Sequence, residues 1–160
     1  MSERADALAA DFAVANGEAM AFVLSCTDAQ WGIVVPGEEW SVGVVLHHIA
    51  EGHGNGLAWL EVMAQGRAIT DTAAGIDQKN VEHATRVSDV GQAETAQLLA
   101  ENGARLEVLL RGLSDDELDT TAPFGPAEGR ALPVSAMAAV AARHVRDHLS
   151  HARAAVETES

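Results

Sequence analysis

The sequence predicts an all-α fold, a four-helix bundle, and three observations predict it. Four long stretches carry apolar residues at alternating steps of three and four, which gathers them on one helical face. Aromatic residues make up only 4% of the chain, so Ala, Leu and Val must fill the interior. Such small side chains suit closely packed helices better than sheets. Turn chemistry separates the four stretches, with one longer connection between the second and third helices. At 160 residues the chain suits one domain, and residues 1–160 are read as a single unit.

The first helix is expected over about Glu3 to Ser25, with Leu8, Phe12, Ala15, Ala19 and Phe22 as its seam. Thr27-Asp28 and Pro36-Gly37 interrupt the pattern. The second runs from about Ser41, a suitable N-cap, to Gln65. Its core seam is Val42, Val45, Ile49, Gly52, Gly56, Trp59 and Met63. One residue round lies a partly polar line holding Val44, His48, Glu51, Asn55 and Val62. His47 shares a side with Gly43, Gly54, Glu61 and Gln65, which reads as solvent. Periodicity thus turns His48 inward and His47 outward.

The stretch from Arg67 to Asp89 is too irregular for a full helix; a short one is expected around Asp77–Ala84, with His83 read as a loop residue. The third long helix is expected from about Val90 to Gly112, with Leu99, Leu106, Leu109 and Leu113 near its seam. Pro123, Gly125, Pro126 and Gly129 mark a loop. The fourth long helix starts near Pro133 and reaches about Val156. One seam is apolar: Ala138, Ala142, Val145, Leu149, Ala152 and Val156. The adjacent seam is Met137, Ala141, His144, His148, His151 and Ala155, so histidines stand where core residues are expected. Thr27-Asp28-Ala29-Gln30-Trp31 faintly echoes Ser114-Asp115-Asp116-Glu117-Leu118, each after one long helix and before a His-bearing one.

Charge and cysteine usage narrow the classes of function. A formal net charge of −14 repels nucleic-acid phosphates and anionic membranes, so neither is an expected partner. The single Cys26 forbids an internal disulfide and suits a reducing compartment. No basic-then-apolar leader is evident, nor an apolar run of about 18 residues, and a cytoplasmic location is expected. No Gly-rich phosphate loop, Ser nucleophile elbow or CxxC pair is present.

The histidines carry the chemistry. A buried imidazole has two nitrogens to satisfy, and an unpaired one costs on the order of 1–3 kcal/mol. A divalent metal relieves this by accepting lone pairs from neutral rings. His at i and i+4 is a recurrent metal-binding pair, and His144 and His148 have that spacing. His48 is the interior candidate for a third ligand on a facing helix. Three His ligands leave coordination positions open, as catalytic sites do. The alternative is core or rim histidines bonded to carboxylates or waters. His151 could be a fourth ligand, a group supporting a ligand from outside, or a substrate contact. Glu51, one turn beyond His48, could orient an imidazole or act as general base; a rim salt bridge is the plainer reading. Zn²⁺, Ni²⁺ and Fe²⁺ all suit imidazole ligands.

Trp40–His53, WSVGVVLHHIAEGH, followed by Arg143–Ala152, RHVRDHLSHA, resembles the DinB/YfiT-like superfamily, which includes mycothiol-dependent maleylpyruvate isomerases and bacillithiol transferases. Asp77-Gln78-Lys79-Asn80 resembles that family's D-x-x-N, and Leu113–Leu118 its L-[ST]-x-x-[EQ]-L turn. The resemblance implies a four-helix bundle, often a homodimer, with a metal on three His. The matching positions here are His48, His144 and His148. Many members have Gln three residues after the last ligand, where this chain has His151. The resemblance further implies a small-molecule substrate and a metal that lowers the pKa of mycothiol or another low-molecular-weight thiol for S-transfer or isomerisation. Metal-assisted hydrolysis with the same ligands, or a non-enzymatic metal- or ligand-binding dimer, are the alternatives. Contacts to a substrate are expected from Arg67–Asp89 and Ala122–Leu132.

Overall fold

The computed structural model describes residues 2–159. Helix α1 spans Glu3–Ser25, with the Ser2 side chain accepting from the Ala5 N–H as its N-cap. Its buried line is Ala5, Ala9, Phe12, Ala15, Ala19 and Val23, with Leu8 and Phe22 half-buried beside it. On length and composition α1 is apolar enough to cross a membrane, although it contains no unbroken apolar run. Its Ala-rich line is packed into the protein interior.

Two short helices turn corners, α2 over Asp28–Trp31 and, later in the chain, α6 over Asp115–Asp119. Both begin with a reciprocal capping box, Thr27 with Gln30 and Ser114 with Glu117. The faint echo in the sequence is thus the same local device used twice. Helix α3, Val42–Met63, is capped by Ser41 as expected. Helix α4, Ala73–Arg86, is capped by Thr72 and is longer than the short helix expected there. Helix α5 is Gln92–Gly112, and α7 is Val134–Thr158, with Pro133 one position earlier than N1, at its N-cap.

The four long helices form the bundle. α1 packs on α5 and α7, and α3 packs on the same two, so α1 and α3 lie across a diagonal. Residues 64–91 form the longest connection between long helices, as expected, but residues 26–41 and 113–133 are also extended connections. The apolar seam of α7 is buried throughout, while Arg143, Arg146, Asp147, Ser150 and Arg153 are exposed.

The expected loop at 122–132 is instead a hairpin. Strand β1, Thr121–Phe124, pairs antiparallel with β2, Arg130–Pro133, through a 3₁₀ turn at Gly125–Ala127. Ala122 and Phe124 point inward and Thr121 and Pro123 outward, the alternation of a half-buried strand. Ile69 bridges to this hairpin, donating its N–H to Pro123 and accepting from Gly125 at 2.9 Å each.

Candidate metal centre

The first half of α3 is buried nearly all round. Trp31 covers Gly43, where a Cβ would collide with the indole. α4 covers the next turn. His47, read from periodicity as solvent-facing, is therefore buried, at 4% exposure. His83 is likewise not a loop residue: it is the buried residue of α4, with its Nε2 2.8 Å from Nδ1 of His47. An amphipathic reading assumes one covered face, and α3 has a second because α4 lies on it.

His48, His144 and His148 converge between α3 and α7. Nε2 of His48 and Nε2 of His144 are 3.2 Å apart, and one ligand atom from each of the three rings lies within 4.8 Å of the others. His48 meets His148 and His144 with ring centroids at 4.8 and 5.1 Å. Two ligands on one tetrahedral ion with bonds of about 2.0–2.1 Å are separated by about 3.3 Å. The donor set, spacing and three partly buried rings thus fit a divalent ion with open positions. Burial, then the neighbouring His144, His148 and His83, push the His48 imidazole down to about 3. Burial, then His148, push His144 down to about 4. Both rings are therefore neutral near pH 7, the form that offers a lone pair.

Glu38, which the sequence reading passed over, completes the arrangement. It sits in a tight turn that brings the Val35 N–H to the Trp40 carbonyl at 2.7 Å, with Gly37 and Glu39 at positive φ. Its carboxylate, 12% exposed, lies 3.0 Å from His148 Nδ1 and 2.7 Å from His151 Nδ1. Burial raises the Glu38 pKa, but hydrogen bonds from His148 and His151 outweigh it and leave the carboxyl below its ordinary value. A Nδ1–H of His148 given to this carboxylate leaves Nε2 with the lone pair. His151 is the exposed member of its seam and supports Glu38 from outside. Glu51 does not join this group: its carboxylate is held by Arg86 at 2.8 Å and His83 at 3.1 Å, on the α4 side.

A cavity of about 360 Å³ opens beside the three histidines. Trp40, Trp59, Leu60, Ile76, Leu106 and Met137 supply most of its apolar wall, and Asn55, Asn80 and His53 add polar atoms. Among the described residues no Asp, Glu, Lys or Arg lines it. Ile76 and Asn80 come from the connection expected to touch a substrate, whereas no described hairpin residue lines the cavity; Phe124 packs edge-on against Trp59 from behind the wall. His53 is fully packed, with Nε2 2.8 Å from Asn16 Oδ1 and its ring edge-on to Phe12. Cys26 is buried, and burial pushes its thiol pKa up, the opposite of the shift that activates a nucleophile.

Beyond Gly43, the three later glycines of α3 have three different settings. A Cβ on Gly52 would lie 2.8 Å from His144 Cε1; one on Gly54 would sit 3.4 Å from Asn102; one on Gly56 would meet nothing within 4 Å. Gly52 is thus the gap into which the His144 ring fits.

No curated protein sequence matches this chain significantly. Among solved structures it is similar to YfiT from Bacillus subtilis, described as "a probable metal-dependent hydrolase with an unusual four-helix bundle topology", at 20% identity. The two superpose with a TM-score of 0.82 over 99% of this chain and 90% of that one, a likeness of fold. The DinB superfamily model matches residues 12–152, which takes in α3, α7 and all three converging histidines. The chain belongs to the DinB superfamily.

Proposed function

We propose that this chain is a metal-dependent enzyme acting on a small molecule, most specifically a thiol-dependent S-transferase or isomerase. The observation that carries the proposal is the convergence of three imidazoles, two of them held neutral, on one point at the edge of an apolar cavity. His48, His144 and His148 would hold a divalent ion, which would supply the Lewis acidity that lowers the pKa of a low-molecular-weight thiol such as mycothiol. The chain does the rest. Glu38 fixes the His148 tautomer, Gly52 admits the His144 ring, and Trp40, Trp59 and Met137 exclude water from the reacting groups. Asn55 and Asn80 are placed to orient a polar group of the substrate.

Metal-dependent hydrolysis is the second reading, favoured by the description attached to YfiT. Hydrolysis gains from a carboxylate base beside the attacking water. Here Glu38 is occupied by His148 and His151, and Glu51 by His83 and Arg86. With neither carboxylate free, hydrolysis would rely on a metal-bound hydroxide without a base beside it, and on that ground the thiol reading comes first.

Elemental analysis of protein purified without added metal or chelator, paired with a thiol-conjugation panel, tests both. The expected result is one equivalent of divalent metal that is present in the wild type and lost from His148→Ala, and turnover that requires added thiol. Turnover with equal rate in the absence of thiol selects hydrolysis. Protein that neither carries nor takes up Zn²⁺, Ni²⁺ or Fe²⁺ refutes both readings.

A further inference from the structure

Next to the three-His centre is a second convergence of ligand atoms. His47 Nδ1, His83 Nε2 and a Glu51 carboxylate oxygen lie within 4.8 Å of one another. His83 Nε2 is the shared corner, 2.8 Å from His47 Nδ1 and 3.1 Å from Glu51 Oε2. Both histidines are about 95% buried, at 4% and 5% exposure. The two groups are neighbours, since the rings of His48 and His83 meet edge-on at 5.7 Å.

We propose that His47, Glu51 and His83 form a second divalent-cation site, adjacent to the three-His centre and independent of its ligands. The argument is one of proton counting. Nε2 of a neutral His83 faces both His47 Nδ1 and Glu51 Oε2: carrying the proton it donates to one of them, and without the proton it can accept from His47 but turns a lone pair on the carboxylate, so one contact is left unserved in either tautomer. A cation between three lone pairs serves all of them. His83 Nδ1 is buried without a hydrogen-bond partner among the described residues, so no contact on that side of the ring fixes its tautomer. The separations are also close to the about 3.3 Å expected between ligands on one tetrahedral ion with bonds of about 2.0–2.2 Å. Arg86 holds Glu51 Oε1 at 2.8 Å, which orients the carboxylate and leaves Oε2 as its single ligand atom. Two imidazoles and one carboxylate are a donor set that Zn²⁺ accepts.

The proposal rests on its own three residues, and its test separates it from the three-His reading. Full-length protein stripped with chelator is titrated with Zn²⁺ by calorimetry, and bound metal is counted after desalting. Circular dichroism checks that each variant is folded. The expected result is two equivalents for the wild type and one each for His83→Gln, Glu51→Gln and His148→Gln. The double variant His83→Gln/His148→Gln should bind none. If His148→Gln keeps two equivalents while His83→Gln loses one, the second site stands and the three-His reading fails. A wild type that binds one equivalent, unaffected by His83→Gln, overturns the second site. So does a wild type that binds two equivalents, both retained by His83→Gln and Glu51→Gln.

Discussion

Replacing Gly52 with Ala should strengthen α3 and damage the centre beside it. Glycine inside a helix costs about 1 kcal/mol relative to alanine, so on propensity alone the substitution stabilises. The new methyl, however, would lie 2.8 Å from His144 Cε1 and 3.3 Å from its Nδ1. Carbon atoms pack at about 3.5–4.0 Å, so Cε1 has to retreat by about 0.7 Å or more. Cε1 is bonded to Nε2, and a metal site tolerates only about ±0.2 Å in its ligand distances. The ring borders the cavity and can turn into it, which keeps the packing cost at the low end of the usual range of about 1–3 kcal/mol. Folding stability of the metal-free protein should therefore change by less than about 1 kcal/mol, and metal affinity should fall at least about tenfold, or 1.4 kcal/mol. Gly56→Ala is the internal control: with nothing within 4 Å, it should stabilise by up to about 1 kcal/mol and leave affinity unchanged. Competition titrations against a chromophoric chelator, with thermal melts in EDTA, measure both quantities. Wild-type affinity in Gly52→Ala, or an equal loss in Gly56→Ala, would refute the reasoning.

Three further outcomes are expected. Glu38→Gln removes the charge that holds His148 and His151, and should weaken metal binding about ten- to hundredfold in the same titration, with an unchanged value excluding the orienting role. The metal-free protein should lose stability as pH falls from 6.5 towards 3 and show no His-linked change above 6.5, because the unfolded chain takes up protons that the folded imidazoles refuse. Burial, then His144, push His53 down to about 3, which links on the order of 4 kcal/mol to that window; melts of His53→Gln should have a flatter acid limb, and an identical limb would rule this out. Neutral electrophiles should be turned over in preference to carboxylates, since no Lys or Arg lines the cavity among the described residues; kcat/KM for matched acid and amide substrates decides it.

The parts of the molecule that were legible in the sequence are those governed by one helical period. α1 runs over the expected Glu3–Ser25, and the apolar seam of α7 is buried from Ala138 to Val156. His144 and His148 were picked out because they sit where core residues belong, His48 because its line runs beside the core seam of α3, and the fold brings the three together. What escaped were contacts made by covering layers. His47 looks solvent-facing until α4 is laid over it, and α4 is hard to read because His83 is its only buried residue. Glu51 follows the same logic: its line along α3 is right, but Arg86 and His83 draw the carboxylate to the α4 side. Glu38 lies in a turn, where no period points to a partner 110 residues away. Its signal was Pro36-Gly37 immediately before Trp40 and Ser41, a tight turn fixed to the start of α3. The hairpin was hidden by its prolines, although Ala122 and Phe124 alternate with outward residues as a strand requires.

The diagonal arrangement of α1 and α3 also sets an order of events during synthesis. His48 and His144 are 96 residues apart, and both neighbours of α3 in the bundle, α5 and α7, are made after it. An N-terminal portion ending before Val134 has no α7, and so exposes His48, Trp40 and the carboxylate of Glu38 that the finished bundle covers. A chain released early, or truncated ahead of its last helix, therefore has neither a closed core nor more than one of the three converging imidazoles. Docking of the 25-residue α7 is therefore the step that closes the core and brings the three imidazoles together.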